Sequence, residues 1–331
     1  MTRISLRLGW GLAALLSFSA VFAPILATNR SEQQFLDHLY APPMLPRVRD
    51  DQGRWHRPFV YPLRLIDRLE LRFEQDRSER LPLRWFSDGR LVSVDPARGT
   101  WLPLGGDALG RDVYSRLLQG ARLSLGVAII ATVGALLLGA VAGGLAGFLG
   151  GRPDALLMLV ADFFIVLPVI YVVLVLRAAM PLVLTTLQVF WATTAILALA
   201  GWPFAARAVR TVVTIERNRE YAESARSIGA SGSRILLRHL LPAARGVLAV
   251  QASLLLPAFV LAEATLSYVG LGFSEPSASW GGMLYAAGRG RAFTDAPWLL
   301  APAVTIAISL LSVQLLGGNP HVSLTERRKW L

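Results

Sequence analysis

Apolar runs near the length that crosses a bilayer recur along this chain, and arginine-rich gaps separate them. A spanning helix needs about 20 mostly apolar residues. Six stretches approach or exceed that length: Leu8–Ala27, Leu123–Leu149, Asp154–Leu176, Pro181–Ala206, Gly246–Ala262 and Trp298–Leu316. The predicted fold is therefore all-α, a polytopic integral membrane protein with six transmembrane helices. Composition agrees, since 54% of the 331 residues are hydrophobic and 17% charged, with a mean hydropathy of +0.49. A soluble enzyme is not built from such material.

The formal net charge is +11, and Lys329 is the only lysine, so the positive charge is almost all arginine. A basic balance can serve nucleic acid. Here the arginines cluster between apolar runs, the pattern of cytoplasmic membrane loops, which makes membrane lipid the expected partner and excludes nucleic acid. The absence of cysteine removes disulfides, thiolate metal sites and a cysteine nucleophile.

Arg3 and Arg7 precede the first run, which reads either as a retained helix with a cytoplasmic N-terminus or as a signal peptide cleaved near Ala27. Its length favours the retained helix. Residues 1–27 form the first segment and 28–120 an extracytoplasmic loop, in which Leu65, Ile66, Leu69 and Phe73 fall near helical spacing and predict a short amphipathic helix. Residues 121–318 hold the five-helix core, including a cytoplasmic loop at 207–242, and 319–331 are a cytoplasmic tail.

Within the core, Gly139, Gly143, Gly147 and Gly151 recur every four residues, which predicts a seam where another helix approaches closely. Gly150 to Pro153 form a turn with Arg152 on the cytoplasmic side, and Pro168 predicts a kink. Thr185, Thr186, Gln188, Thr193 and Thr194 either face a water-filled path or bond neighbouring helices. Arg207, Arg210, Arg217, Arg219, Arg226, Arg234, Arg238 and Arg245 crowd the loop before the fifth run, whereas the turn before the fourth offers only Arg177. That asymmetry, with Arg327, Arg328 and Lys329 at the end, places the loop and both termini in the cytoplasm. No internal repeat or low-complexity segment is present.

The polar stretch Glu216–Pro242 lies between the fourth and fifth runs. Tyr221 to Ile228 is good helix sequence, with Ala222, Ala225 and Ile228 near one face, small enough to enter a partner's cleft. Gly229 stands where a left-handed residue would end that helix. Ser231 or Ser233 can cap a second helix, Arg234 to Leu241, and Pro242 suits the start of the fifth span.

At these residues the chain resembles the permeases of binding-protein-dependent ABC importers, whose coupling loop has the pattern E-A-A-x3-G-x9-I-x-L-P. Glu223, Ala225, Gly229, Leu241 and Pro242 match, Ser224 replaces an alanine, and His239 stands where the general family has isoleucine. Histidine there resembles the dipeptide, oligopeptide and nickel branch. Leu104 to Asp112 with Ser115, Arg116 and Gly120 to Leu125 is similar to that branch's motif before the second span. Glu263 to Gly272, with Pro276 and Ser279 to Gly281, is similar to its region after the fifth, and Asp162 six residues before Pro168 also fits. The tail from Gly317 to His321 departs from the branch's usual ending.

The resemblance implies an inner-membrane permease of the ABC type I importer fold, forming half of a path for peptides or related small solutes. It further implies a second homologous permease subunit, two ABC ATPase subunits that carry ATP and Mg, and an extracytoplasmic solute-binding protein. The ATPase-coupling set it implies is Tyr221, Ala222, Glu223, Ser224, Ala225, Gly229, Ala230, His239, Leu241 and Pro242. Nickel or another non-peptide solute is an alternative cargo. An ATPase-independent transporter or a membrane-anchored scaffold would instead need no nucleotide-binding partner.

Asp162 and Glu263 are ionisable groups at membrane depth and so are candidate pathway or gate residues, although structural pairing explains such groups as well. His239 has no second ligand at three or four residues' distance, so a structural role is favoured over a metal site. Asp107 and Asp112 read as a helix cap and a partner for Arg116, and Trp280 and Trp298 as interfacial anchors. No catalytic site and no bound cofactor are expected. The lone Lys329 lies outside any glycine loop, which excludes a Walker A motif, and neither His-Glu-x-x-His nor Gly-x-Ser-x-Gly occurs.

Overall fold

Helices dominate, because only a helix satisfies its backbone hydrogen bonds alone in hydrocarbon. The computed structural model describes residues 3–167, 169–181, 184–289 and 295–317. In order the helices are α1 (Arg3–Val21), α2 (Ala23–Leu26), α3 (Val113–Leu149), α4 (Gly151–Val166), α5 (Val169–Ala178), α6 (Thr186–Glu216), α7 (Glu220–Ser227), α8 (Gly232–Ile235), α9 (Leu241–Ala243), α10 (Arg245–Tyr268), α11 (Trp280–Arg289) and α12 (Ala301–Gly317). Among the described residues five helical stretches are long and apolar enough to cross a membrane: Ile4–Val21, Val113–Leu149, Thr186–Glu216, Arg245–Tyr268 and Pro297–Gly317.

The remaining expected span, Asp154–Leu176, is divided into α4 and α5. Between them Leu167 is extended (φ −70°, ψ 130°), the conformation forced on a residue that precedes proline. Pro168 itself, the predicted kink, lies outside the described residues, as do the tail from Gly318 and Arg327, Arg328 and Lys329.

Two compact units divide the chain, one built on Val127–Glu263 and the other on Ala13–Gly126 and Ala264–Ile308. In the first, the glycine register of α3 does what its spacing predicts. A Cβ on Gly139 would stand 2.4 Å from Ala205 Cβ, one on Gly143 2.2 Å from the Ala206 carbonyl, and one on Gly147 2.8 Å from the Arg210 carbonyl, so α3 and α6 touch backbone to backbone. Gly151 is not part of the seam. It opens α4 at φ +59° with nothing within 4 Å of its absent Cβ. Two of the threonines at α6 serve the helix itself, while the buried Thr193 hydroxyl finds no hydrogen-bond partner among the described residues. Thr185 forms a capping box with Gln188, and Thr194 bonds back to the Phe190 carbonyl.

The second unit carries the departure from an all-helical chain. Strands β1 (Arg47–Arg49), β2 (Trp55–Val60), β3 (Leu63–Asp67), β4 (Arg72–Gln75), β5 (Leu81–Pro82), β6 (Arg84–Ser87) and β7 (Arg90–Ser93) form a three-stranded sheet, β1-β2-β5, and two hairpins, β3–β4 and β6–β7. The amphipathic helix expected through Leu65–Phe73 is instead the β3–β4 hairpin, in which Leu65 faces Phe73. Asp67 sits at the turn: its carboxylate accepts the Leu69 and Glu70 amides at 2.7 and 3.1 Å, amides that a helix running unbroken through Leu65–Phe73 would give to its own carbonyls. Ala41, Met44, Val60, Leu81, Val94 and Leu102 form the core beneath these strands.

The motif ahead of α3 and the segment after α10 meet within this unit. Asp107 accepts the Leu109 and Arg111 amides and faces the Arg111 and Arg116 guanidinium groups at 2.8 and 3.6 Å. Both arginines also reach Glu275. Asp112 is the cap, accepting the Tyr114 amide at 3.1 Å and the hydroxyls of Thr28 and Ser115. Trp280 is not an interfacial anchor. It is fully buried and donates its indole N–H to the Leu117 carbonyl at 3.1 Å, and Gly120 leaves room for its ring. Trp298 is half-buried and bonds the Gly106 carbonyl in the same way.

Candidate functional site

α6 runs past Pro203 to Glu216, and within four residues the chain starts α7. Glu220 and Glu223 in the first turn of α7 and Arg226 in its last complement the helix dipole, which offsets the lack of a side-chain cap at Arg219. The helix ends in a full Schellman motif. The Gly229 amide bonds the Arg226 carbonyl at 2.9 Å and the Ala230 amide bonds the Ala225 carbonyl at 3.0 Å, with Gly229 at φ +83°. The glycine turn is thus where the sequence places it.

Ser231 then precedes α8, without a side-chain cap bond, and a π-helical segment, Leu236–Leu240, leads into α9. Pro242 explains the wide turn. It has no N–H to give the Arg238 carbonyl four residues back, and its ring would strike that carbonyl in a regular helix. The π segment brings the exposed His239 ring to 6.3 Å from that of Tyr221, so the two ends of the loop touch. Tyr221 also donates its hydroxyl to Glu216 at 2.9 Å. Partial burial and that carboxylate raise the phenol above its ordinary pKa.

The expected small apolar face does not point at a partner. Ala222 is fully buried in a cluster with Val209, Val213, Ile235, Leu236, Leu240 and Ala244, and Ala225 and Ala230 pack against the same cluster. Ile228, expected on that face, is 86% exposed instead. Helix geometry explains the split, because alanines three apart sit on the stripe that Val213 and Leu240 cover, while Ile228 follows the last helical turn. Tyr221, Glu223, Ser224, Arg226, Ser227 and Ile228 form the outward surface. Leu241 is half-buried against the cluster and Pro242 is exposed.

The arginines divide into two populations. Arg210 holds Asp154 with two bonds of 2.5 and 2.7 Å, Arg207 holds Asp162 at 2.5 Å, and Arg219 pairs with Glu216 at 3.3 Å. Arg217 closes the end of α3 by donating to the Gly147 and Phe148 carbonyls at 3.0 and 3.2 Å. No local pattern announces that contact, because its partners lie about 70 residues away. By contrast, Arg226, Arg234, Arg238 and Arg245 are exposed, and none pairs with a carboxylate among the described residues. Asp162 is therefore ion-paired and part-exposed, whereas Glu263 is 1% exposed within α10.

Helices long and apolar enough to span a membrane, around a compact polar loop with its small residues turned in and its charges turned out, define an integral membrane protein with a structured polar loop between two spans. The chain belongs to the family of binding-protein-dependent transport system inner membrane components, whose model matches residues 135–318. It is 36% identical over 235 residues to the oligopeptide transport system permease protein OppC of Bacillus subtilis (strain 168), covering 70% of this chain and 74% of that one. It is 36% identical over 226 residues to the dipeptide transport system permease protein DppC of the same organism, covering 68% of each. Among solved structures, an inward-facing form of the MetNI methionine ABC transporter aligns with a TM-score of 0.49 and 20% identity, covering 61% of this chain and 93% of that one. The protein is thus an inner-membrane permease component of an ABC importer.

Proposed function

We propose that this chain forms half of the translocation path for peptides or related small solutes and takes its energy from cytoplasmic ATPase subunits through the 216–242 loop. The surface of α7 carries the proposal. Ala222 anchors the helix in the chain's own core while Tyr221, Glu223, Ser224 and Ile228 stand outward on a rigid element. A helix held this way moves with α6 and α10 rather than independently of them. Displacement of a partner that grips it reaches the spans without loss in a flexible joint. The four unpaired arginines around the loop suit an acidic partner surface. ATP and Mg sit on the partner subunits, this chain pairs with a second permease subunit, and a solute-binding protein delivers the cargo. Peptide cargo rests on the names of the OppC and DppC relatives. Glu263, buried in α10, acts on the pathway, and Asp162 serves as the ion-pair partner of Arg207.

Glu223→Lys and Gly229→Asp test the coupling role. Neither side chain meets a crowded site, since Glu223 is exposed and Gly229 has nothing within 4 Å of its absent Cβ, so the aspartate at 229 meets only the strain of the left-handed backbone (φ +83°). Both variants should insert into the membrane at wild-type levels, yet lose peptide uptake and stimulation of the ATPase. Normal uptake by either variant refutes coupling through this loop.

A further inference from the structure

The β6–β7 hairpin exposes two large aromatic side chains beside its turn. Asp88 and Gly89 make its two-residue turn with φ values of 56° and 72°, the mirror-image turn that fits the twist of paired strands. Next to that turn Trp85 is 57% and Phe86 79% exposed. Phe86 also holds a left-handed backbone, φ 53°, which a bulky residue avoids unless its surroundings compensate. Neighbouring exposed aromatic residues on a hairpin mark a patch of the kind that another surface usually covers.

Its position says what covers them. Arg90, paired with Ser87 beside the turn, donates from its guanidinium to the Thr28 carbonyl at 2.5 Å. Thr28 lies two residues beyond Leu26, where α2 ends the apolar stretch that α1 begins. Arg90 also shares one open cleft of about 800 Å³ with Ala23, Pro24 and Ala27 of that helix end. Phe22 and Ile25, at the same helix end, are 40% and 45% exposed and continue the apolar surface of the candidate span Ile4–Val21. The turn beside Trp85 and Phe86 is thereby tied to the end of an apolar helix, and it is at such ends that tryptophan and other amphipathic aromatics concentrate in membrane proteins. The apolar tip of the other hairpin, Leu69 on β3–β4, is 90% exposed but has no such tie to a span among the described residues.

We propose that the β6–β7 hairpin is a membrane-interface anchor: Trp85 and Phe86 lie in the headgroup and upper acyl region of the bilayer where α2 leaves it, and so fix the β-rich segment against the lipid surface. The occupant is lipid, and the argument is continuity with the membrane boundary that α1 and α2 already define.

The chain has no cysteine, so single substitutions can be labelled without background. Phe86→Cys, Trp85→Cys and Leu69→Cys, each in the full chain with a nitroxide label, are placed in phospholipid vesicles. Collision with oxygen and with a water-soluble nickel chelate is measured without any partner protein. The labels at 85 and 86 should be several-fold less accessible to nickel and more accessible to oxygen than the label at 69. Equal nickel access at all three overturns the proposal. Protection that appears only when a solute-binding protein is added overturns it too, by showing a protein occupant. Quenching of wild-type tryptophan fluorescence by lipids brominated near the carbonyl, reduced in Trp85→Phe, gives the same reading without a label. If Trp85→Phe leaves that quenching unchanged, the anchor is refuted independently of whether the cysteine variants fold.

Discussion

At the scale of single residues, a few small side chains decide where the helices lie. Gly143 faces the Ala206 carbonyl so closely that any Cβ there would stand 2.2 Å from it, and the obstacle is backbone, which cannot rotate away. Gly143→Leu should therefore push α3 from α6 and destabilise the fold by about 1–3 kcal/mol, the usual range for overpacking. Gly151→Ala is the contrast. It meets nothing within 4 Å, so only the left-handed backbone resists it, at roughly 1 kcal/mol. Thermal melts of detergent-solubilised protein should rank the two in that order. Equal melting temperatures would mean that the seam does not control the packing.

At the scale of elements, the chain's readable features were those set by spacing within one helix or one turn. The glycine register of α3 and the Gly229 turn depend only on helical periodicity and on glycine's freedom at positive φ, and both appear where the residues put them. The β3–β4 hairpin was hidden because Leu65, Leu69 and Phe73 satisfy a helical spacing while Asp67 captures two amides that the helix would need. Trp280 was misplaced because its partners, Leu117 and Ser124, are over 150 residues away, and no composition rule sees that far. The Arg111, Arg116 and Glu275 cluster is likewise a long-range tie, and it makes the loop after α10 sensitive to pH. Burial opposes the Glu275 charge, yet the bonds from Arg111 and the charge of Arg116 outweigh it and hold this carboxyl below its ordinary value. Its stabilisation is thus present above the unfolded carboxylate pKa of about 4.3 and fades as pH falls through the lower folded value. Asp112 works the other way, because burial pushes its carboxyl up, so its ionisation opposes folding as pH rises. Melting temperature measured from pH 3 to 7 should fall at the acid end in the wild type. Glu275→Gln should lower it at neutral pH and flatten the acid slope, and an unchanged slope would show that the cluster does not tie the loop.

For the whole molecule, the proposed coupling has to reach a solute path, and the two carboxylates within the spans differ in their surroundings. Asp162 is paired with Arg207 on a neighbouring helix and is part-exposed, so its charge is compensated within the chain. Glu263 is 1% exposed in α10, the helix that the 216–242 loop feeds directly. Holding an ionisable group that deep is expensive, and such groups usually mark pathways. A carboxyl whose bonds hold the fold together should lose stability when its neutral isostere replaces it, whereas one that acts on the solute path should keep its stability and lose transport. Glu263→Gln therefore separates the two roles. For a pathway role, the melting temperature should hold or rise, the chain should still assemble with its partners, and solute uptake should drop. Unchanged uptake with a lowered melting temperature would assign Glu263 to structure and move the search for the gate to other pore-lining positions.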